Sequence, residues 1–271
     1  ALKELKNLNL KHKVLFAFTG DEEVGGSNGA KLIVSKLRST VGLPKYLVNG
    51  DGANHTVIRR RRKIFDVKVS VPKKLITIKG KKYVKSFNAI YPVTQHAHAA
   101  YFISGADVHP LIAASVFVRE GNYYVTSLKG SFLKSNVIPS NIELEYVVPD
   151  PHGEDVVVDV ELTNLLKSIV TLSKTPIVTR AFSEFGISIT PNVYISDSVN
   201  TLVLDVRAMA YKEDVEEAFN TVVKEILPNA VVEVKTDVGG FINTPENSKL
   251  VKTFKEVLNE LNTMYRVGEG A

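Results

Sequence analysis

Residues 13–19, KVLFAFT, are a short continuous apolar run, and three consecutive carboxylates, Asp21, Glu22 and Glu23, follow almost at once. A run with no polar alternation has no solvent side, so it predicts a strand buried on both faces, as in a parallel sheet. The glycine-rich loop after it leads into NGAKLIVSKL, which reads as a helix, and KYLVNGD (45–51) reads as a second buried strand ending in Asp51. Strand, loop, helix and strand make a βαβ unit. In open α/β sheets ligands bind at the carboxyl ends of the strands, which is where residues 21–23 and Asp51 fall.

Adjacent carboxylates repel by about 1 kcal/mol in water and by more when buried. A divalent cation removes that cost. At a strand-to-loop junction neighbouring side chains diverge, so one of Glu22 and Glu23 can bind a metal while the other faces metal-bound water. The metal lowers the pKa of that water toward ~7, and the second carboxylate is then a suitable general base. Asp51 is placed to reach the same ion. The plainer alternative is an exposed acidic turn or a helix-capping arrangement.

Composition narrows the classes. The 271 residues, 44% apolar and 23% charged, suffice for two domains of a soluble globular protein. There are no cysteines, which excludes disulfides, thiolate metal sites and a cysteine nucleophile; a metal would need His, Asp and Glu. The same absence fits a reducing, cytoplasmic setting. No apolar run approaches the ~18 residues of a membrane span, so no membrane partner is expected. The opening ALKELKNLNL lacks the apolar stretch of a signal peptide and reads as the tail of an amphipathic helix, with Leu2, Leu5 and Leu8 at helical spacing. The net charge of +5 decides little. RRRRK, Arg59 to Lys63, reads either as a nucleic-acid patch or as an ion-paired stretch entering a strand. Without aromatic interleaving the second is preferred, and no nucleic-acid partner is expected.

After Arg62 the pattern changes to alternation. KIFDVKVSVP and KLITIKGKKYVK look antiparallel, 107–120 reads as a helix, 122–130 and 141–150 as strands, and 160–174 as a helix. Residues 200–210 read as a strand, 212–227 as a helix, 229–240 as a strand and 244–261 as a long helix. The expected fold class is α/β, with a βαβ piece in 1–62, a mixed α+β region in 63–243 and a closing helix in 244–271. KSNVIPSNIELEYVVPD (134–150) and ITPNVYISDSVNTLVLDVRA (189–208) echo one another, each with an Asn-Val beside a proline and then a strand.

TGDEEVGGSNGAKLIV resembles the segment T-x-D-E-E-x-G-G-x-G-A of the co-catalytic zinc metallopeptidases, a family that includes aminoacylases, carboxypeptidases, acetylornithine deacetylases and succinyl-diaminopimelate desuccinylases. The resemblance implies a zinc-binding catalytic α/β domain made of 1–62 and 244–271 with 63–243 inserted as a lid or dimerisation domain, two zinc ions per site, a peptide or N-acyl amino acid substrate, and a homodimer formed through the lid. Cobalt or manganese would also suit His and carboxylate ligands. By the same resemblance Glu22 is the general base, Glu23 ligates one zinc and Asp51 the other. QHAHAAYFISGADVHPLIAAS resembles the lid segment H-A-x-x-P-x-x-G-x-N-A. That gives His98 the role of the lid histidine that polarises the scissile carbonyl, with His96 as its rival. SITPNVYISDSVNTLVLDVRA resembles T-N-V-I-P … D-x-R, so Asn192 and Arg207 would bind the substrate carboxylate. Asn136, in SNVIP, competes for the asparagine role; its strand carries no arginine at the end, so 192 and 207 are preferred. A buried structural ion pair is the plain alternative for Arg207.

The implied reaction is hydrolysis of an amide by metal-activated water, with Glu22 moving the proton and His98 stabilising the oxyanion. The family's early H-x-D and Gly-Asp ligands and its late histidine have no counterparts here, and His12, ahead of the first strand, does not replace them. The expectation is that both ends of a family member are missing and that this chain is inactive. A non-catalytic dimerisation or binding relative is the alternative. Two carboxylates and a base are too few for two zinc ions, each of which takes about four ligands. Isothermal titration of the 271-residue chain with zinc is therefore expected to show weak uptake, and sub-micromolar binding of two ions would contradict the reading.

Overall fold

Every second residue of β2 (Lys63–Pro72) points into the interior, and Phe65, Val67, Val69 and Val71 are all buried. β8 (Val199–Ala208) answers it with Leu202, Leu204, Val206 and Ala208. The two pair antiparallel along their whole length, Lys63 opposite Ala208 and Pro72 opposite Val199. β7 (Ser188–Ser196) and β9 (Val231–Lys235) complete an antiparallel sheet of order β7-β8-β2-β9. Three helices cover its apolar face: α2 (Pro110–Glu120), α3 (Val160–Leu172) and α4 (Lys212–Ile226). Their buried stripes, Leu111, Ala114 and Val118, then Leu162, Leu166 and Ile169, then Val215, Phe219 and Val223, join the sheet residues in one core. Each large side chain fully buried there contributes about 1.5–3 kcal/mol.

The structure is a computed structural model that describes residues 10–21, 26–50, 55–93, 97–180, 186–236 and 240–270. Two units divide the chain, Ala1–Asp51 and Gly52–Ala271. The second contains two further sheets. β3 (Leu75–Asn88), β5 (Asn141–Pro149), β4 (Tyr124–Gly130) and β6 (Glu154–Asp159) close on themselves. The early part of β3 pairs with β6 and the later part with β5, and Gly80 is the residue shared by both pairings. A Cβ at position 80 would stand 2.5 Å from Val147 Cγ1 and 2.6 Å from the Val148 carbonyl, so only glycine fits. The third sheet sets β1 (Thr56–Arg61) between antiparallel β10 (Ile242–Asn243) and parallel β11 (Arg266–Gly270). Between β10 and β11 the chain forms α5 (Lys249–Glu260), whose N-cap is the Ser248 hydroxyl. β1 and β2 are separated by Arg62 alone and belong to different sheets.

In Ala1–Asp51 the described residues carry one helix, α1 (Ala30–Ser39), and no strand. The strands expected at 13–19 and 45–51 are therefore a correction. Strand backbone is stable only with paired N–H and C=O groups, and among the described residues of Ala1–Asp51 neither segment has a strand beside it. Their apolar side chains stand exposed, Phe18 at 81% and Leu47 at 69%. Leu2, Leu5 and Leu8 lie outside the described residues.

A buried carboxylate joins three elements of the larger unit. Asp159 caps α3, its Oδ1 accepting from the backbone N–H groups of Glu161 at 3.1 Å, Leu162 at 3.2 Å and Lys74 at 3.2 Å. Its Oδ2 accepts from Asn200 Nδ2 at 2.8 Å, and Asn200 Oδ1 accepts from Tyr194 at 2.7 Å. Replacing one such acceptor strands several buried donors at once. Asp159→Ala is expected to cost about 3 kcal/mol or more in urea unfolding, and a loss under about 1 kcal/mol would contradict this account.

Candidate functional site

His98 sits where two short segments meet. Ala99 N–H donates to the Asn136 carbonyl at 2.9 Å and Ile138 N–H to the Ala97 carbonyl at 2.8 Å, so 97–99 and 136–138 run antiparallel. His98 caps the 3-10 turn Ala99–Tyr101, its Nδ1 accepting from Ala100 N–H at 3.0 Å. An imidazole that accepts at Nδ1 and is neutral carries its proton on Nε2. That Nε2 lies 3.5 Å from Asn136 Nδ2. The Asn136 amide and the imidazole are thus in hydrogen-bond contact, and a carbonyl oxygen that displaced this contact would meet both groups at once. Of the two asparagines weighed from the sequence, Asn136 is the one beside His98. His96 lies outside the described residues.

Asn192 is fully buried, and its position follows from a bulge. The β7–β8 register slips between Pro191 and Val193, leaving Asn192 as the extra residue with its side chain re-aimed. Its Oδ1 accepts from His109 Nε2 at 3.0 Å, and its Nδ2 donates to Thr190 Oγ1 at 3.1 Å and to the Ser135 carbonyl. His109 is buried as well and caps α2, with Nδ1 accepting from Leu111 N–H at 3.2 Å and Pro110 in the first turn. Its ring also meets the edge of Phe102 at 5.7 Å. Burial pushes the His109 imidazolium down to about pKa 4, against the smaller opposing effect of the Asn192 hydrogen bond. His109 had no functional sign in the sequence; the His-Pro pair before an apolar helical stripe is a capping signal, and capping is part of what it does.

Arg207 is buried and forked onto Asp205 through Nε at 2.8 Å and Nη2 at 3.1 Å. Asp205 and Arg207 are two apart on β8 and share its polar face. Arg62 donates to Ser188 Oγ at 3.2 Å, and Ser188 stands opposite Arg207 in the β7–β8 ladder. Burial, and next the charge of Arg207, hold the Arg62 guanidinium below its usual pKa, while Asp205 acts the other way. Elsewhere in the basic run Arg60 is paired with Glu269, and Arg59 lies 3.8 Å from Glu246.

Of the acidic cluster, Asp21 is described. Its Oδ2 accepts from Asn28 N–H at 2.8 Å and Gly29 N–H at 3.0 Å, and its carbonyl accepts from Gly26 N–H at 2.8 Å. Gly26 turns there with φ +64°, which suits glycine. Asp21 thus shapes the turn into α1, the capping alternative raised from the sequence. Glu22, Glu23 and Asp51 lie outside the described residues. Among the described residues no three His, Asp or Glu side chains gather as a metal would need. His12 is exposed.

No family model matches the chain, and no curated protein matches it in sequence. Solved structures do. Aminoacylhistidine dipeptidase from Vibrio alginolyticus superposes with a TM-score of 0.57 at 12% identity, over 85% of this chain and 57% of that one. Aminopeptidase PepT from Bacillus cereus gives 0.34 at 13% identity, over 93% and 50%. The chain thus spans a little over half of the first structure and half of the second. The likeness to the dipeptidase is one of fold: a mixed helix and strand arrangement of the peptidase type. Among the described residues no helix is long and apolar enough to cross a membrane.

His109 makes stability depend on pH. Above its ordinary value of 6.5 the ring is neutral both folded and unfolded, so it contributes no slope. Between 6.5 and about 4 the unfolded chain takes up a proton that the folded chain refuses, and stability falls as pH falls. His109→Asn lacks this term. The stability of the unaltered chain relative to His109→Asn is expected to drop by about 3 kcal/mol between pH 7 and pH 4 in urea titrations, and a constant difference would refute the assignment.

Proposed function

We propose that these residues belong to a metal-dependent hydrolase that cleaves the amide bond of a small peptide or an N-acyl amino acid. The observation that carries the reading is the contact of His98 Nε2 with the Asn136 amide, found in a fold like that of a dipeptidase. The DEE loop supports it from the sequence. In this reading the substrate carbonyl oxygen displaces the contact between His98 Nε2 and the Asn136 amide and accepts from both. We assign Asn136 to the carbonyl oxygen rather than either asparagine to the substrate carboxylate, because the Asn192 amide is already engaged by His109, Thr190 and Ser135. Glu22 holds and moves the proton. Glu23 and Asp51 are the oxygen donors for zinc, or for cobalt or manganese in its place, and the bound ion would supply an acidified water. A substrate carboxylate reaches Arg207 only by replacing Asp205 in its fork. Residues 63–243 act as the lid and, in this proposal, as the homodimer contact.

A second reading has its own support: Asn192 and Arg207, the pair expected to bind substrate, are both committed internally. That favours a relative which binds or dimerises without catalysis. The product of the whole reading frame, loaded with zinc and offered dipeptides and N-acyl amino acids, separates the two. Hydrolysis lowered about 10²–10³-fold in kcat by His98→Ala, with a comparable loss in Asn136→Ala and near-complete loss in Glu22→Gln, supports the hydrolase. Hydrolysis indifferent to Glu22 and His98 would refute it, and absent hydrolysis without zinc uptake supports the second reading.

A further inference from the structure

We propose that His109 and Asn192 are positioning residues that hold Asn136 against His98. The path is a run of hydrogen bonds through the interior. Leu111 N–H at the start of α2 donates to His109 Nδ1, and His109 Nε2–H, at 3.0 Å, reaches Asn192 Oδ1. The Asn192 amide then donates to the carbonyl of Ser135, the residue directly before Asn136. From there the backbone of 136–138 is paired to 97–99 on either side of His98.

Each joint has one orientation. His109 accepts at Nδ1, so its proton is on Nε2 and can serve only as donor to Asn192. Asn192 must then present its oxygen to His109 and its nitrogen to Ser135. A charged His109 would keep the donor but lose the acceptor that caps α2. Burial keeps the ring neutral and so preserves both contacts. A bulge that places a fully buried asparagine among His109, Thr190 and Ser135 is more than the β7–β8 pairing requires, since the ladder resumes on both sides of it. Its effect is to fix the 135–138 segment, whose pairing to 97–99 among the described residues is carried by two backbone hydrogen bonds about His98.

The inference rests on the hydrolase reading for what the donor pair does, not for how the pair is held. It is tested by NMR on the isotope-labelled full chain, through the cross-relaxation peak between the Asn136 side-chain amide and the His98 ring. The peak is expected in the unaltered chain. It is expected to vanish in His109→Asn, which keeps a good helix cap but is too short to reach Asn192. It should vanish equally in Asn192→Asp, which keeps the acceptor for His109 and loses the donor to Ser135. Thr163→Val, which removes a buried hydroxyl bonded to Asp159 and Val125, is destabilised without touching this path and should keep the peak. Persistence in a folded His109 or Asn192 variant, loss in Thr163→Val alike, or absence from the unaltered chain overturns the proposal. A further measurement needs no variant: slow solvent exchange of the Asn192 side-chain amide is expected, and exchange as fast as an exposed amide overturns the proposal. If the peak behaves as expected and kcat falls in the same variants with KM held, both inferences stand. If the peak behaves so and no form hydrolyses any substrate, the positioning path stands and the hydrolase reading falls.

Discussion

The larger unit depends on one buried carboxylate. Asp159 ends β6 and begins α3, and its two oxygens take up donors from the start of β3, the first turn of α3 and the start of β8. Hydrophobic burial holds helices to a sheet without specifying their rotation or height, because it is proportional to area and has no direction. A carboxylate that must satisfy four donors has direction. It ties the closed β3-β5-β4-β6 sheet to α3 and to β8 of the helix-covered sheet. Thr163 extends the arrangement by donating to the Asp159 carbonyl at 2.7 Å and accepting from Val125 N–H at 2.9 Å.

Where the sequence repeats with a clear period, structure follows it. β2 alternates over ten residues and α4 has its stripe and acidic first turn, and both form close to where they were expected. β11 and β7 were not expected as strands. RVGEG carries two glycines and no alternation, and it is a strand only because β1 offers a parallel partner. Such partners are set by tertiary context, which a local pattern does not contain. The reverse holds for 13–19 and 45–51. Their composition suits a doubly buried strand, yet among the described residues of Ala1–Asp51 no strand pairs with them. Pattern states what a segment could bury; it does not provide the surface that buries it.

The two Asn-Val segments show the same limit at the level of chemistry. SNVIP and TPNVY are nearly interchangeable as text. One asparagine falls in the pairing that flanks His98, while the other is the extra residue of a bulge. A slip of one residue in register re-aims a strand side chain to the opposite face, so similarity in sequence says little about which of the two meets a ligand. His109 was passed over for a related reason. A His-Pro before a helix looks like punctuation, and only burial reveals that the cap also supports Asn192.

Charge separates what can bind readily from what cannot. Arg207 and Asp205 form a buried pair, and taking Asp205 out of the fork would leave a charge without water or partner, a cost of several kcal/mol. A ligand carboxylate must match that geometry to compete. In the proposed site His98 and Asn136 serve as hydrogen-bond donors rather than as a fixed charge pair. Presenting them to a carbonyl oxygen exposes no unpaired charge, and their attraction grows as negative charge develops on that oxygen. A site built on such a pair gains most from the transition state and least from the ground state. That is the distribution an amide hydrolase needs, and it places the first demand on the segment joining Ser135 to Ile138 rather than on the arginine.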